Sequence, residues 1–173
     1  MKISILLPYK ENFTINKSGA VSLFIKDLIK NTKHKDTTFI FGNTDQKKFL
    51  DKRYINLEIK KKIFRSTSSI YIDKFLSYET KNNSDIIEIH NRPSYVKKIK
   101  TKTKSKIILF FHNDPLSMTG SKTIEERNFL LNNIDHFVFN SKWSLSRFKI
   151  NLKNFQAYTN KFSVIYQCVD KKK

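Results

Sequence analysis

Two apolar runs, Asp85-Ile86-Ile87-Glu88-Ile89 and Ile107-Ile108-Leu109-Phe110-Phe111, break off at nearly the same corner. The first turns at His90-Asn91-Arg92-Pro93 and the second at His112-Asn113-Asp114-Pro115. Consecutive β-prone apolar positions suit a strand covered on both faces. Proline ends each run because it has no N–H for a central ladder and biases the residue before it towards extended backbone. Each His therefore stands where a buried strand emerges into a loop. In an open α/β sheet that edge is where ligands bind.

The rest of the chain keeps the same rhythm. Pro8 and Gly42, like Pro93 and Pro115, follow apolar β-like runs. Ile3 to Leu7 reads as the first strand, with a loop from Pro8 to Lys17 and a helix from Gly19 to about Lys30 that Ser18 would cap. Val21, Phe24, Ile25, Leu28 and Ile29 fall on one face of that helix. Further strands are predicted at Thr37–Phe41, Ile55–Ile59, Asp85–Ile89, Lys106–Phe111, Asp135–Phe139 and Phe162–Tyr166. Further helices are predicted at Gln46–Leu50, Ser69–Thr80, Ser94–Lys100, Ser121–Asn132 and from Ser141 through Phe148. Strands separated by helices imply right-handed crossovers and a doubly wound, mostly parallel sheet with helices on both faces.

At 173 residues the chain suits a single full-sized domain over 1–170, with 171–173 a basic tail or the start of a linker. The N-terminal run lacks a signal-peptide pattern, and no apolar run approaches the ~20 residues of a bilayer span. A lone Cys168 leaves no intrachain disulfide, which suits a reducing cytoplasm. The net charge of +19 is carried by Lys, with Arg only at 53, 65, 92, 127 and 147. Nucleic-acid readers lean on Arg forks, and aromatic-basic RNA platforms are missing, so nucleic acid is not the expected partner. The excess of Lys, Asn, Ile and Phe reads as AT-rich codon bias, and an anionic membrane surface or a phosphorylated substrate could use the charge.

Asn16-Lys17-Ser18-Gly19-Ala20 can present a helix N-terminus to an anion, or can be an ordinary capped start. Neither a G-x-G-x-x-G nor a Walker A pattern is present. A strand-end His can donate, act as a base or simply bond loop backbone. His112 is favoured over His90 because Asp114, two residues on, could orient it. His34 is expected to face solvent and His136 to cap or pack at a strand start. Metal-ligand spacing and nucleophile elbows are lacking. Among Glu88, Asp114, Glu125 and Glu126, no spacing singles out a pair for glycoside hydrolysis.

The order of the pieces resembles the N-terminal domain of family 4 type GT-B glycosyltransferases. The matching segments are Lys2 to Pro8, Ser18-Gly19-Ala20, Asp85 to His90, Lys106 to Asp114, Phe137 to Trp143 and Phe162 to Asp170. The resemblance implies a Rossmann-like fold and a retaining transfer of sugar from a nucleotide-diphosphate donor, with no metal and no other cofactor. It places Ser18, Gly19, Asn113 and Asp114 by the donor diphosphate and sugar, and His112 at the reacting sugar. His90, Asn91, Arg92, Asn140 and Ser141 would line the acceptor cleft. Only Gly19 stands where the family usually has a Gly pair.

The family's second domain, with its basic residue and Glu pair, has no counterpart in these 173 residues. The domain is therefore expected to be inactive alone and to work with a separate C-terminal domain. Expected acceptors are glycans or lipid-linked sugars, with a cytoplasmic location and peripheral contact with an anionic inner membrane face. The alternative is a non-catalytic Rossmann-like module that binds an anionic glycan, lipid head group or protein.

Overall fold

The computed structural model describes residues 1–60, 63–153 and 155–167. Seven parallel strands form one sheet: β1 Ile3–Leu6, β2 Thr38–Gly42, β3 Tyr54–Asn56, β4 Ile86–His90, β5 Lys106–Phe111, β6 His136–Phe139 and β7 Phe162–Val164. Their order is β3-β2-β1-β4-β5-β6-β7. The chain winds outwards from β1 in one direction and then from β4 in the other, so the topological switch lies between β1 and β4. This is the doubly wound α/β fold that the sequence pattern predicts.

Among the described residues, five α-helices cover the sheet: α1 Ala20–Asn31, α2 Thr67–Asn82, α3 Val96–Lys100, α4 Ile124–Asn133 and α5 Lys142–Lys149. Alternate strand residues point to opposite faces, which divides the core in two. On one face Val21, Ile25 and Ile29 of α1 pack on Ile3, Ile5, Leu7 and Ile40. On the other, α2 to α5 cover Leu6, Phe41, Ile87, Ile89, Ile107, Leu109, Phe111, Phe137 and Phe139. Phe111, Phe137, Phe139 and Phe148 meet there at ring-centroid distances of 5.3 to 6.3 Å, an aromatic block under α5.

Several local expectations give way to capping and tertiary contacts. Residues 46–50 form no helix; Phe49 instead makes an antiparallel bridge with Thr14. The edge strand is Tyr54–Asn56 rather than 55–59. Helix α4 starts later than Ser121 because Thr123 and Glu126 form a reciprocal capping box. Helix α2 starts earlier, capped by Ser66, and β7 ends at Val164. His34 is half-buried rather than solvent-facing. His136 opens β6, with its Nε2 2.8 Å from the Ser163 hydroxyl. Cys168 and the basic tail lie outside the described residues. Among the described residues no helix is long and apolar enough to cross a membrane.

Candidate functional site at the strand-end cleft

The β1–α1 loop, the two His-Asn corners and the segment after β7 converge at the switch point. They enclose a cleft of about 320 Å³ lined by Pro8, Glu11, Ala20, Val21, Asn91, Arg92, His112, Asn113 and Gln167. All three loops of interest thus lie on the same edge of one sheet, as their positions after parallel strands require.

Register explains why the two histidines meet. His90 is paired with Phe110 across β4 and β5. His112 lies two residues beyond Phe110, so all three side chains share a face. The His90 ring stacks on Phe110 at 4.4 Å between centroids, and Phe24 of α1 stands edge-on to His112 at 5.1 Å. His90 Nδ1 lies 2.9 Å from His112 Nε2, and His112 Nδ1 lies 3.0 Å from the Gln167 amide nitrogen at the cleft. His90 is fully buried. Burial holds its pKa far below the ordinary imidazole range, to about 3. Burial, with a smaller contribution from His90, does the same to His112, also to about 3. Both rings are neutral at neutral pH.

Glu88, on the same face of β4, reaches the far side of His90. Its Oε2 lies 3.7 Å from His90 Nε2, and neither atom has a hydrogen-bond partner among the described residues. Burial lifts the Glu88 carboxyl to about 7. The sequence offered one sign of this: Glu88 interrupts an otherwise apolar parallel strand, where a carboxylate is rarely placed without a use.

The other predicted residues fall into two groups. Asn91 has a left-handed backbone, φ 51°. Its N–H donates to the Phe110 carbonyl at 2.9 Å, and its side-chain oxygen accepts from the His112 N–H at 2.7 Å. Asn140 donates to the His112 carbonyl at 2.7 Å. Together they fix the His112 backbone from both sides. Arg92 and Asn113 line the cleft, with Arg92 donating to the Asn91 carbonyl at 2.8 Å.

Asp114 does not orient His112. It accepts from the Leu116 N–H and from Arg147, at 3.0 Å to Nη2, and Arg147 holds its carboxyl below the usual range. Ser141 accepts from the Ser144 N–H as the cap of α5.

Ser18 does not cap α1 either. Its hydroxyl donates to the Thr14 carbonyl at 2.5 Å, and Gly19 is the cap residue. The capping oxygen comes from Glu11, which accepts from the Ser22 N–H at 3.1 Å. A Cβ at Gly19 would lie 2.0 Å from the Glu11 carboxylate. The glycine is therefore needed for the approach of this internal anion to the helix N-terminus. Glu11, Phe24 and Gln167 are site residues that sequence reasoning missed, and it weighs Glu88 only as a carboxylate for glycoside hydrolysis.

Comparison with solved structures places this architecture. HepE of Anabaena in complex with UDP-glucose superposes with a TM-score of 0.62 at 15% identity, over 96% of this chain and 44% of that one. Sucrose-phosphate synthase of Thermosynechococcus elongatus gives 0.64 at 10% identity, over 96% and 48%. The lipopolysaccharide outer core galactosyltransferase WaaB gives 0.66 at 17% identity, over 99% and 47%. The domain has the fold of one half of a GT-B glycosyltransferase. It spans under half the length of these enzymes, and at such identities the likeness is one of fold. No protein-family model and no curated protein matches the sequence.

Proposed function

We propose that this domain is the N-terminal, acceptor-binding half of a retaining glycosyltransferase. It would help transfer a sugar from a nucleotide-diphosphate donor to a glycan or lipid-linked acceptor. The observation that carries this reading is the cleft itself: the α1 entrance, the His112-Asn113 corner and the Asn91-Arg92 corner open into one space at the switch point of a GT-B-like half. Of the enzymes that share the fold, HepE was crystallised with UDP-glucose and with UDP, and WaaB bears the name of a galactosyltransferase.

In this reading Arg92 and Asn113 offer donors to sugar hydroxyls or an anionic group, and His112 touches the reacting sugars. The diphosphate approaches the α1 N-terminus, where Glu11 now sits, so Glu11 must move aside for it. A separate C-terminal domain would supply the nucleotide pocket and complete the site on closure. Ile63 and Phe64 are almost fully exposed. They stand between Lys60-Lys61-Lys62 and Arg65 in the chain, a combination that suits peripheral contact with an anionic membrane.

The occupied helix N-terminus favours the second reading, a non-catalytic module whose internal carboxylate keeps phosphate out. Amide NMR during titration with UDP-glucose and UDP-galactose separates the two. The donor reading expects weak, millimolar binding that shifts Gly19, Ala20, His112 and Asn113, and tighter binding in Glu11→Ala. Shifts confined to the opposite sheet edge, or none in either protein, would overturn it.

A further inference from the structure

We propose that Glu88, His90 and His112 form a proton relay from the sheet interior to the cleft, through which His112 Nδ1 takes the proton of a bound sugar hydroxyl. The proposal rests on reading the cleft as a sugar-acceptor site, and it assigns that site a base.

The geometry is a single file of polar atoms in an apolar setting. Three side chains on one sheet face are joined by gaps of 3.7 Å and 2.9 Å. Phe110 and Phe24 flank the rings, and His90 has no exposed surface. Two buried polar atoms without hydrogen-bond partners among the described residues, Glu88 Oε2 and His90 Nε2, lie 3.7 Å apart. Leaving both unsatisfied is costly, and one shared proton satisfies both after a small closure of the gap. The file ends at His112 Nδ1, which Gln167 reaches from the cleft side at 3.0 Å. A sugar hydroxyl can take the place of that amide.

The hydrogen-bond directions are coupled. When the Gln167 amide donates to His112 Nδ1, the His112 proton is on Nε2 and points to His90 Nδ1. The His90 proton is then on Nε2 and points to the Glu88 carboxylate. Reaction reverses every bond. The sugar O–H proton passes to His112 Nδ1, the His112 Nε2 proton to His90 Nδ1, and the His90 Nε2 proton to Glu88. The sugar oxygen forms its bond to the anomeric carbon of a nucleotide-diphosphate sugar. The bond from that carbon to the diphosphate breaks, with its electron pair leaving on the diphosphate. Glu88 ends protonated and both imidazoles stay neutral throughout, so no positive charge is ever placed on a buried ring.

Burial keeps each member in the form the relay needs: the imidazoles far too weakly basic to stay charged, and the carboxyl near 7, where it can hold a proton and release it. Among the described residues, His136 of β6 shares the sheet face of Glu88, in register through Ile108. Glu11 from the β1–α1 loop and Arg92 from the β4 corner stand at the cleft end of the file. Lys26, Asp27 and Lys30 of α1 are exposed. Asp114, from the β5 corner, is taken by Arg147.

In 15N-histidine-labelled protein, long-range 1H–15N spectra report which ring nitrogen carries the proton. In alkaline buffer both rings should carry it on Nε2. As the pH falls through about 7, both should switch to Nδ1 together. Glu88→Gln should abolish the switch and hold each ring in one tautomer across the range. Rings that titrate separately, a wild-type protein that keeps its tautomers, or a switch unchanged in E88Q would each overturn the relay. Should E88Q fail to fold, the wild-type pH series still decides. No nucleotide sugar is present in this experiment, so its failure removes the relay alone, whereas failure of the UDP-sugar titration removes the donor reading and leaves the coupled tautomer switch standing.

Discussion

At the β4 corner the histidine is sealed inside the sheet and the asparagine is bent into the left-handed region. At the β5 corner the histidine reaches the cleft, and the residue before proline folds back as a cap for the Pro115–Ser117 turn. Four of five residues follow one pattern, yet one corner is a hub of buried polar contacts and the other a surface turn held by an ion pair. The difference comes from strand length against a common register. His90 is still within the ladder, opposite Phe110, whereas His112 is past the end of β5. A strand-end motif thus acquires its role from how far its neighbour extends, which no single segment contains.

The largest effect is expected where the corners touch. Gly120 has φ +97°, and a Cβ there would lie 2.4 Å from the Ser94 amide nitrogen and 2.8 Å from the Pro93 carbonyl carbon. The β5 loop can lie on the β4 corner only because this side chain is missing. Gly120→Ala should cost on the order of 3 kcal/mol through strain and displaced backbone. For a domain of this size that lowers the melting temperature by roughly 10 °C. An unchanged melting curve would mean that the two corners are not packed together.

Much of this arrangement was legible beforehand. The apolar runs at Ile86–Ile89 and Lys106–Phe111, each stopped by proline, identify central parallel strands, and alternation with helices identifies the doubly wound sheet. Segments whose form depends on partners were not legible. Residues 46–50 have helical spacing, but Phe49 is drawn into a bridge with Thr14. Ser18 looks like a cap, yet the capping oxygen arrives from Glu11, seven residues earlier. At the site, the meeting of His90 and His112 needs the β4–β5 register, and the carboxylate assigned to orient a histidine was wrong. Asp114 is two residues from His112 in sequence, but Arg147 holds it. Glu88, two residues before His90, is on the same strand face and meets the file.

A second, smaller effect sharpens the chemistry of the β4 corner. A histidine whose folded pKa lies below its ordinary 6.5 loses stability as pH falls through that value, because the unfolded chain binds the proton and the folded one does not. His112 behaves alike. Glu88, raised from 4.5 to about 7, works in the opposite sense: the folded state gains stability as pH falls through 7, because it takes up a proton that the unfolded chain still lacks. In the wild-type protein one carboxyl slope offsets only about one of the two histidine slopes, so stability should fall by about 2 kcal/mol between pH 7 and 5. Glu88→Gln removes only the compensating slope, and chemical denaturation at the two pH values should then show a further loss on the order of 2 kcal/mol beyond the wild type's at the lower one. Parallel behaviour of the two proteins would show that Glu88 titrates as an ordinary exposed carboxyl.

The smallest effect belongs to the β5 corner. Asp114→Ala removes the acceptor for the Leu116 N–H and the partner of Arg147. The ion pair is open to water and worth little by itself. Loss of the cap should cost about 1 kcal/mol, measured by urea denaturation, with part of the loss disappearing at high salt. What makes the variant informative is what should stay fixed. His112 is held through its backbone by Asn91 and Asn140 and through its ring by His90, none of which Asp114 touches. The ring should therefore keep its tautomer and its pH response in the variant. If Asp114→Ala instead moves the His112 signals as far as Glu88→Gln does, the carboxylate that governs this histidine is the one nearer in sequence, and the two corners are more alike than their geometry says.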